Sequence, residues 1–151
     1  MTTTKIGFAS DHAGFQMKQS LKISLEKKGY QTVDFGCFST ESVDYPDFAH
    51  PLAYAVENGE CLFGVAVCAT GNGINMTVNK HAGIRSALCW TEEIARLSRA
   101  HNDANICSLP ARFMELEEAQ KILDIFLHTG FDGGRHARRV EKISLSPDTK
   151  L

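Results

Sequence analysis

The chain has 151 residues, of which 43% are hydrophobic and 23% charged, a composition typical of one soluble globular domain with a buried core. Its formal net charge of -2 gives no support to nucleic-acid binding or to attachment to an anionic membrane. No apolar run reaches the roughly 18 residues of a membrane span, and the N-terminal segment MTTTKIGFAS lacks the apolar stretch of a secretory signal. These features predict a cytoplasmic protein.

Strand-like and helix-like patterns alternate along the chain. Strands are predicted over residues 5–10, 30–35, 62–68, 84–89 and 105–109. The first helix carries Met17, Leu21 and Leu25 on one face and ends at Gly29, and Thr91 is a plausible N-cap for the fourth helix. The other predicted helices cover 47–58, 74–79, 115–128 and about 134–144, followed by a polar tail over 145–151. No linker or repeat interrupts this order, so residues 1–151 are predicted to form a single domain.

Five β-α units in strict alternation predict an α/β fold, namely a Rossmann-like three-layer αβα domain around a five-stranded parallel sheet. The expected strand order is 2-1-3-4-5. In such sheets, ligands bind beyond the carboxyl ends of strands one and three, where the winding reverses. The loops at these positions contain Asp11-His12 and the stretch from Cys68 to Gly73, so topology alone brings two chemically distinctive turns together.

The segment Val65–Asn75, VAVCATGNGIN, has the order strand, glycine-rich turn, helix start. Backbone N–H groups of such a turn converge on one spot and can form an oxyanion hole, beside which the thiol of Cys68 would be reactive. The segment lacks the third glycine of the dinucleotide fingerprint and the Lys-Ser/Thr pair of the P-loop. A tight turn that needs a positive φ is the structural alternative, and the two interpretations are compatible.

Other polar residues have both functional and structural interpretations. Asp11 can be a catalytic group or a helix cap, and His101 can be catalytic or a favourable partner of a helix dipole. Arg135 and Arg139 share a helix face and, with His136, suit a phosphate monoester, although a solvated basic face has the same pattern. No residues have metal-ligand spacing, and the six histidines are scattered along the chain.

Six segments follow one another along nearly the whole chain: SDHAGF (10–15), DYPDFA (44–49), CATGNGIN (68–75), NKHAGIRSA (79–87), LSRAHNDANI (97–106) and GGRHARRV (133–140). In order and spacing they resemble the ribose-5-phosphate isomerase B family, within the wider group of pentose and galactose phosphate isomerases. The resemblance implies an aldose-ketose isomerase of the pentose phosphate pathway that interconverts D-ribose 5-phosphate and D-ribulose 5-phosphate through an enediolate, without metal or cofactor. It also implies a homodimer with shared active sites, with a tetramer left open.

The resemblance also implies roles for individual residues. Cys68 would be the base, Asp11 and His101 would open the furanose ring, and Thr70 would belong to the hole for the enediolate. The sugar-binding set would be His12, Tyr45, Gly71, Asn72, Gly73 and Asn102, and the phosphate-binding set His12, Arg112, Arg135, His136 and Arg139. His101 and Asn102 would come from the partner subunit.

Asn75 stands where one branch of the family has a glutamate base, and an amide cannot serve as a base, so the resemblance places this chain in the cysteine-base branch. Two other hypotheses stay open. The substrate can be another sugar phosphate, such as allose 6-phosphate, galactose 6-phosphate or a tetrose phosphate, because the sequence does not show the depth of the pocket. A non-catalytic sugar-phosphate-binding regulator could share the fold, although such a protein is expected to have lost Cys68, Asp11 or His101.

Overall fold

A five-stranded parallel sheet forms the centre of the chain. The computed structural model describes residues 4–151, so the first three residues of the N-terminal segment, where no signal is expected, lie outside the described part. The strands are β1 (Lys5–Ser10), β2 (Gln31–Asp34), β3 (Phe63–Cys68), β4 (Ser86–Leu88) and β5 (Ile106–Pro110). The helices are α1 (Phe15–Lys27), α2 (Pro46–Glu57), α3 (Asn72–Val78), α4 (Glu92–Asn102), α5 (Leu116–His128) and α6 (Arg135–Glu141). The predicted α/β class is confirmed.

The strand order across the sheet is β2-β1-β3-β5-β4, so the expected order 2-1-3-4-5 is wrong for the last two strands. β5 is buried along its whole length and pairs with β3 on one side and β4 on the other. β4 has only three residues, all half-buried, which suits the edge of a sheet. The fully buried strand therefore takes the inner place, and the short strand takes the edge.

The helices divide between the two faces of the sheet as right-handed crossovers require. On one face, α1, α4 and α5 pack through residues that include Leu21, Ala95 and Ile122. On the other face, α2 and α3 pack through residues that include Leu52 and Ile74. Because α1 and α3 leave their strands towards opposite faces, a crevice opens between the carboxyl ends of β1 and β3.

The helix ends follow the signals in the sequence. The Thr91 Oγ1 accepts a hydrogen bond from the Ile94 N–H at 3.1 Å, as expected of an N-cap. Gly29 follows α1 with a φ of +91°, a backbone conformation that favours glycine. Within residues 4–151, none of the helices has the length and apolar character that crossing a membrane requires.

Candidate active site

The carboxyl ends of β1 and β3 meet at the predicted switch point. The Asp11 N–H donates to the Val67 carbonyl oxygen at 3.3 Å, which ties the residue after β1 to the end of β3. Gly14 lies so close to the same carbonyl that a Cβ there would come within 2.4 Å of the oxygen. Only glycine fits this approach, and it lets the Asp11 loop lie directly beside the residue that precedes Cys68.

Glycines also set the shape of the turn between Cys68 and α3. Gly71 has a φ of +73°, and a Cβ at this position would lie 2.4 Å from the Leu88 Cδ1. A Cβ on Gly73 would meet the Tyr45 ring at 2.4 Å, so the phenol lies against the turn. The Thr70 Oγ1 accepts a hydrogen bond from the Asn72 N–H at 3.2 Å. The first N–H groups of a helix have no partner within it, so the backbone at the start of α3 can donate to an anion.

Cys68 is the last residue of β3, and only 4% of it is exposed. It belongs to the apolar cluster on the α2–α3 face of the sheet, together with Ile74 and Tyr45. The sequence suggests a thiol at the lip of the turn, whereas the structure buries it because β3 is buried along most of its length. A substrate carbon could therefore reach the sulfur only by entering the turn.

Asp11 and His12 line a cavity of about 520 Å³ together with residues 42–47, which form the end of the loop and the start of α2. Asp11 is buried, and its Oδ1 accepts from the Gly14 N–H at 3.1 Å, so the carboxylate closes the turn before α1 as well as facing the cavity. The His12 Nδ1 accepts from the Val43 N–H at 3.2 Å. This bond assigns the proton of a neutral His12 ring to Nε2, which is then a donor suited to a phosphate oxygen.

A buried lysine holds the loop that follows β2. Lys18 on α1 is fully buried, and its Nζ donates to the Asp34 Oδ1 at 2.5 Å and to the Cys37 carbonyl oxygen at 2.6 Å. The loop backbone also bonds to the end of β1, since the Ser10 N–H donates to the Gly36 carbonyl oxygen at 2.8 Å. Sequence reasoning missed Lys18 because a lysine in an amphipathic helix typically keeps its charge in solvent. The one signal was Asp34, a carboxylate at the end of a strand.

The charge of Asp34 is stabilised within this loop. Burial alone would raise the pKa of its carboxyl group. The hydrogen bonds from Lys18 and from the Gly36 N–H, with the positive charges of Lys18 and Lys22, outweigh burial and lower the pKa. The ionised carboxylate and the buried ammonium together fix the start of the loop that leads to Tyr45 and the cavity.

Arg112 completes this end of the sheet. Its N–H donates to the Ala69 carbonyl oxygen at 3.0 Å, and the preceding Ala111 N–H donates to the Cys68 carbonyl oxygen at 2.9 Å. The residue after β5 is therefore fixed beside the glycine turn, and its side chain is exposed. We call Asp11, His12, Tyr45, the stretch from Cys68 to Gly73 and Arg112 the carboxyl-end site.

Asn75 lies on α3, one turn beyond Gly71. Its Oδ1 is buried and, within the described part of the chain, has no hydrogen-bond partner. Buried polar atoms are nearly always hydrogen-bonded, so this acceptor is suited to a donor from outside the chain. The sequence indicated only that the residue is not a glutamate.

The remaining predicted residues form a second group where α6 packs against α4. The rings of His101 and His136 stack with centroids 4.2 Å apart and 8° between their planes. The Asp132 N–H donates to the Ala100 carbonyl oxygen at 2.9 Å and fixes the segment before α6 against α4. We call His101, Asp132, Arg135, His136 and Arg139 the basic corner.

Charge and partial burial shape the basic corner. Desolvation and the positive charges of His101, Arg135 and Arg139 lower the pKa of His136. Arg135 and Arg139 are exposed on α6, one helical turn apart. Asn102 lies at the end of α4, where its carbonyl oxygen accepts from the Arg85 Nε at 3.1 Å.

The basic corner and the carboxyl-end site lie towards opposite ends of the sheet. Cys68 pairs with Pro110, the last residue of β5, whereas His101 comes before Ile106, the first residue of β5. Ile106 and Pro110 are four residue-to-residue steps apart along β5, about 13 Å at the usual rise of a parallel strand. The structure therefore brings Asp11, His12, Tyr45, Arg112 and the glycine turn close to Cys68, and leaves His101, Asn102 and the α6 residues apart from them within one chain.

Three potential metal ligands come together in the basic corner. One ligand atom each from His101, Asp132 and His136 lie within 4.8 Å of one another. The description of the histidines as scattered is therefore wrong for this pair, because the packing of α6 on α4 joins residues that are far apart in sequence. Asp132 carried no signal, since it lies in an irregular segment without a motif.

The sequence and the architecture match known proteins. The family model described as Ribose/Galactose Isomerase matches residues 6–143. The chain belongs to this family. The ribose-5-phosphate isomerase B of Escherichia coli is 42% identical over 140 residues, which cover 93% of this chain and 94% of that protein.

Solved structures of the family agree with this assignment. The ribose-5-phosphate isomerase B of Clostridium thermocellum matches with a TM-score of 0.92 and 49% identity, over 93% of this chain and 95% of the other. The ribose-5-phosphate isomerase B of Mycoplasma genitalium, solved with bound ribulose 5-phosphate, matches with a TM-score of 0.90 and 38% identity, over 95% of each chain. The resemblance found in the sequence is confirmed.

Proposed function

We propose that this chain interconverts D-ribose 5-phosphate and D-ribulose 5-phosphate. The observation that carries the proposal is the position of Cys68, a thiol at the end of β3, beside the Asp11 loop and directly before a glycine turn. Membership of the Ribose/Galactose Isomerase family supports the reaction class, and the names of the relatives support ribose 5-phosphate as the substrate.

The proposed reaction consists of proton transfers. His101 and Asp11 donate and accept the protons that open the furanose ring at its ring oxygen and anomeric hydroxyl. The Cys68 thiolate then removes the proton from C2 of the open aldose and returns it to C1, while the hydroxyl proton on O2 moves to O1, which gives the ketose. Backbone donors of the turn, with Thr70, stabilise the enediolate that forms between these two steps.

Binding groups hold the sugar while the protons move. Arg135 and Arg139, with His12, Arg112 and His136, would bind the phosphate and so position the sugar carbons at Cys68. Tyr45 and Asn72 lie at the turn and are suited to the sugar hydroxyls, and Asn102 would join them from α4. The proposal includes no metal and no cofactor.

A homodimer with shared active sites is part of the proposal. Its support is the distance of about 13 Å along the strands between the ends of the sheet that hold Cys68 and His101, which a single chain does not bridge. Exposed aromatic side chains also favour contact with a second copy. The Trp90 and Phe113 rings lie 5.9 Å apart and are 41% and 61% exposed. The proposal leaves a tetramer open and places the enzyme in the cytoplasm, in the pentose phosphate pathway.

A direct assay tests the proposed function. The purified chain is incubated with ribose 5-phosphate, ribulose 5-phosphate is measured over time, and a parallel reaction contains a chelator. We expect turnover in both reactions. Lack of turnover with ribose 5-phosphate, together with turnover of galactose 6-phosphate or allose 6-phosphate, would move the assignment to another sugar. Lack of turnover with every sugar phosphate, together with binding of one, would favour a regulator.

A further inference from the structure

The basic corner holds three potential metal ligands, and the proposed substrate roles include only the two histidines among them. His101 lies near the end of α4, His136 in the first turn of α6, and Asp132 in the segment that joins α5 to α6. A ring nitrogen of each histidine and a carboxylate oxygen of Asp132 lie within 4.8 Å of one another. Within residues 4–151, the Asp132 carboxylate makes no ion pair, and the nearby Arg96 pairs with Glu93 instead.

We propose that His101, Asp132 and His136 bind a divalent transition-metal ion of the Zn²⁺ class, and that the bound ion inhibits the isomerase. Two imidazole nitrogens and one carboxylate oxygen form a donor set that Zn²⁺ prefers, and three protein ligands leave a fourth position for water. Mg²⁺ and Ca²⁺ prefer sites made of oxygen atoms, so the same side chains select against them.

Modest side-chain movement completes the site. Four ligands at Zn²⁺ bond lengths of about 2.0–2.1 Å lie roughly 3.4 Å from one another, so the three ligand atoms must approach by up to about 1.5 Å. The Asp132 residue is exposed and can rotate towards the rings. A metal lies in the plane of each imidazole that binds it, so one ring must also tilt out of the present stack.

The positive charges around the site make the Asp132 carboxylate essential for binding a cation. Arg135 and Arg139 repel a cation, and Asp132 supplies the only negative charge among the three ligands. Loss of the Asp132 charge is therefore expected to weaken the site more than loss of a distant carboxylate.

The inhibitory part of this inference rests on the proposed function. A metal bound to His101 removes the group that exchanges protons with the sugar ring, so ring opening stops while the ion is bound. The metal-binding part does not depend on the function, because it follows from the three side chains alone. The two parts are therefore measured separately.

Binding is measured by calorimetric titration of the full chain with Zn²⁺. The variants are Asp132→Asn and His136→Gln, with Asp148→Asn in the exposed C-terminal tail as the matched charge control. We expect one Zn²⁺ for each wild-type and Asp148→Asn chain, and an affinity at least roughly tenfold lower in the two ligand variants. Equal Zn²⁺ affinity in Asp132→Asn and wild type overturns the site.

The absorption spectrum of bound Co²⁺ identifies the ligand atoms, since Cys68 and the other thiols could also take up metal. We expect visible bands of a four-coordinate ion without the near-ultraviolet charge-transfer band of a thiolate ligand. A thiolate band of full intensity overturns the assignment to the basic corner. Circular dichroism of both ligand variants confirms that a lower affinity does not reflect unfolding.

Inhibition is measured as isomerase activity against Zn²⁺ concentration. Wild type and Asp148→Asn are expected to lose activity reversibly, with recovery on addition of a chelator, and Asp132→Asn is expected to need at least roughly tenfold more Zn²⁺. Calorimetric binding without inhibition overturns the inhibitory part. Absence of isomerase activity before Zn²⁺ is added overturns the proposed function instead, and calorimetry still decides the metal site.

Discussion

The carboxyl-end site and the basic corner differ in how the fold makes them. Cys68 and Asp11 are buried at the ends of two neighbouring strands, and close backbone approaches at Gly14 and Gly71 fix their surroundings. Arg135 and Arg139 are exposed on a short helix without a buried residue. The first region is shaped by the core of the sheet, whereas the second is presented on the surface.

This difference indicates what each region can do alone. The carboxyl-end site has the proposed base, Cys68, and backbone donors. Its cavity also has carboxylates from Asp11, Asp44 and Asp47, which are unfavourable neighbours for a phosphate. The basic corner has cationic groups without a base of the Cys68 kind. In the proposed enzyme, the base and the two arginines of α6 therefore lie in different regions, and the proposed homodimer would bring the basic corner of one copy to the carboxyl-end site of the other.

The largest expected effect is that of Cys68→Ala on turnover. Loss of a general base typically costs about 10²–10⁴-fold, so we expect kcat for ribose 5-phosphate to fall by that factor with little change in KM. The measurement is steady-state kinetics on the wild-type and variant chains.

Cys61→Ala is the matched control for this change. Cys61 is also a buried cysteine but lies before β3, at the far end from the turn, and burial raises its pKa to about 11, so its thiol is inert. We expect this variant to keep its kcat. Substantial turnover in Cys68→Ala would exclude the thiol as the base.

The next effect concerns the stability of the buried region. Asp34→Asn removes the charge that pairs with Lys18, which is fully buried and then has no compensating carboxylate. We expect the free energy of unfolding to fall by about 3–5 kcal/mol. Lys18→Met should cost less, because Asp34 is partly exposed and keeps Lys22 and Gln19 as partners. Denaturant titration of both variants measures the difference.

The pH dependence of the free energy of unfolding tests the ion pair between Lys18 and Asp34. The folded state lowers the pKa of Asp34, so its charge contributes its full stability above the unfolded pKa, near 4, and loses that contribution as the pH falls through the lower folded value. The stability difference between wild type and Asp34→Asn should therefore narrow below about pH 4. A difference that stays constant down to pH 2 would contradict the role of the Asp34 charge.

A smaller effect is expected from single arginines in the basic corner. Arg135→Ala should lower kcat/KM by roughly 10- to 100-fold, mainly through KM, because one charge-assisted hydrogen bond to phosphate is worth about 1.5–3 kcal/mol. Its stability should stay within about 0.5 kcal/mol of wild type, since the residue is exposed. Arg138→Ala removes an equal charge from the same helix and is the control. An equal loss of kcat/KM in both variants would indicate that the overall positive charge of α6 attracts the substrate, rather than a direct contact between Arg135 and the phosphate.

The two regions also differ in what the sequence reveals. The alternation of strands and helices, the switch point and the turn after Cys68 are local patterns, and they predict the buried half of the site. The order of β4 and β5 depends on which strand is more completely buried. This is a property of the tertiary structure, and the hydrophobic periodicity of the sequence does not reveal it. Lys18 has the spacing of a solvated lysine, and only the fold shows that Asp34 and the Cys37 carbonyl enclose it.

The basic corner was harder to predict for a different reason. His101 and His136 lie in separate helices, and their stacking depends on how α6 packs against α4. Asp132 has no motif at all, although it lies beside both histidines. Residues brought together by helix packing rather than by strand ends have no fixed spacing in sequence. The sequence can therefore indicate each residue separately but not that they form one cluster.

Mixing two inactive variants tests whether each active site combines the carboxyl-end site of one chain with the basic corner of another. Cys68→Ala and His101→Ala each disable one region, and the two chains are mixed in equal amounts after partial denaturation and refolding. Random pairing gives about half mixed dimers, each with one intact site of two, so activity should recover to about a quarter of wild type. Two portions of the same variant, refolded together, are the control and should stay inactive. If each chain contained a complete site, mixing would restore nothing, because every site would carry one of the two changes.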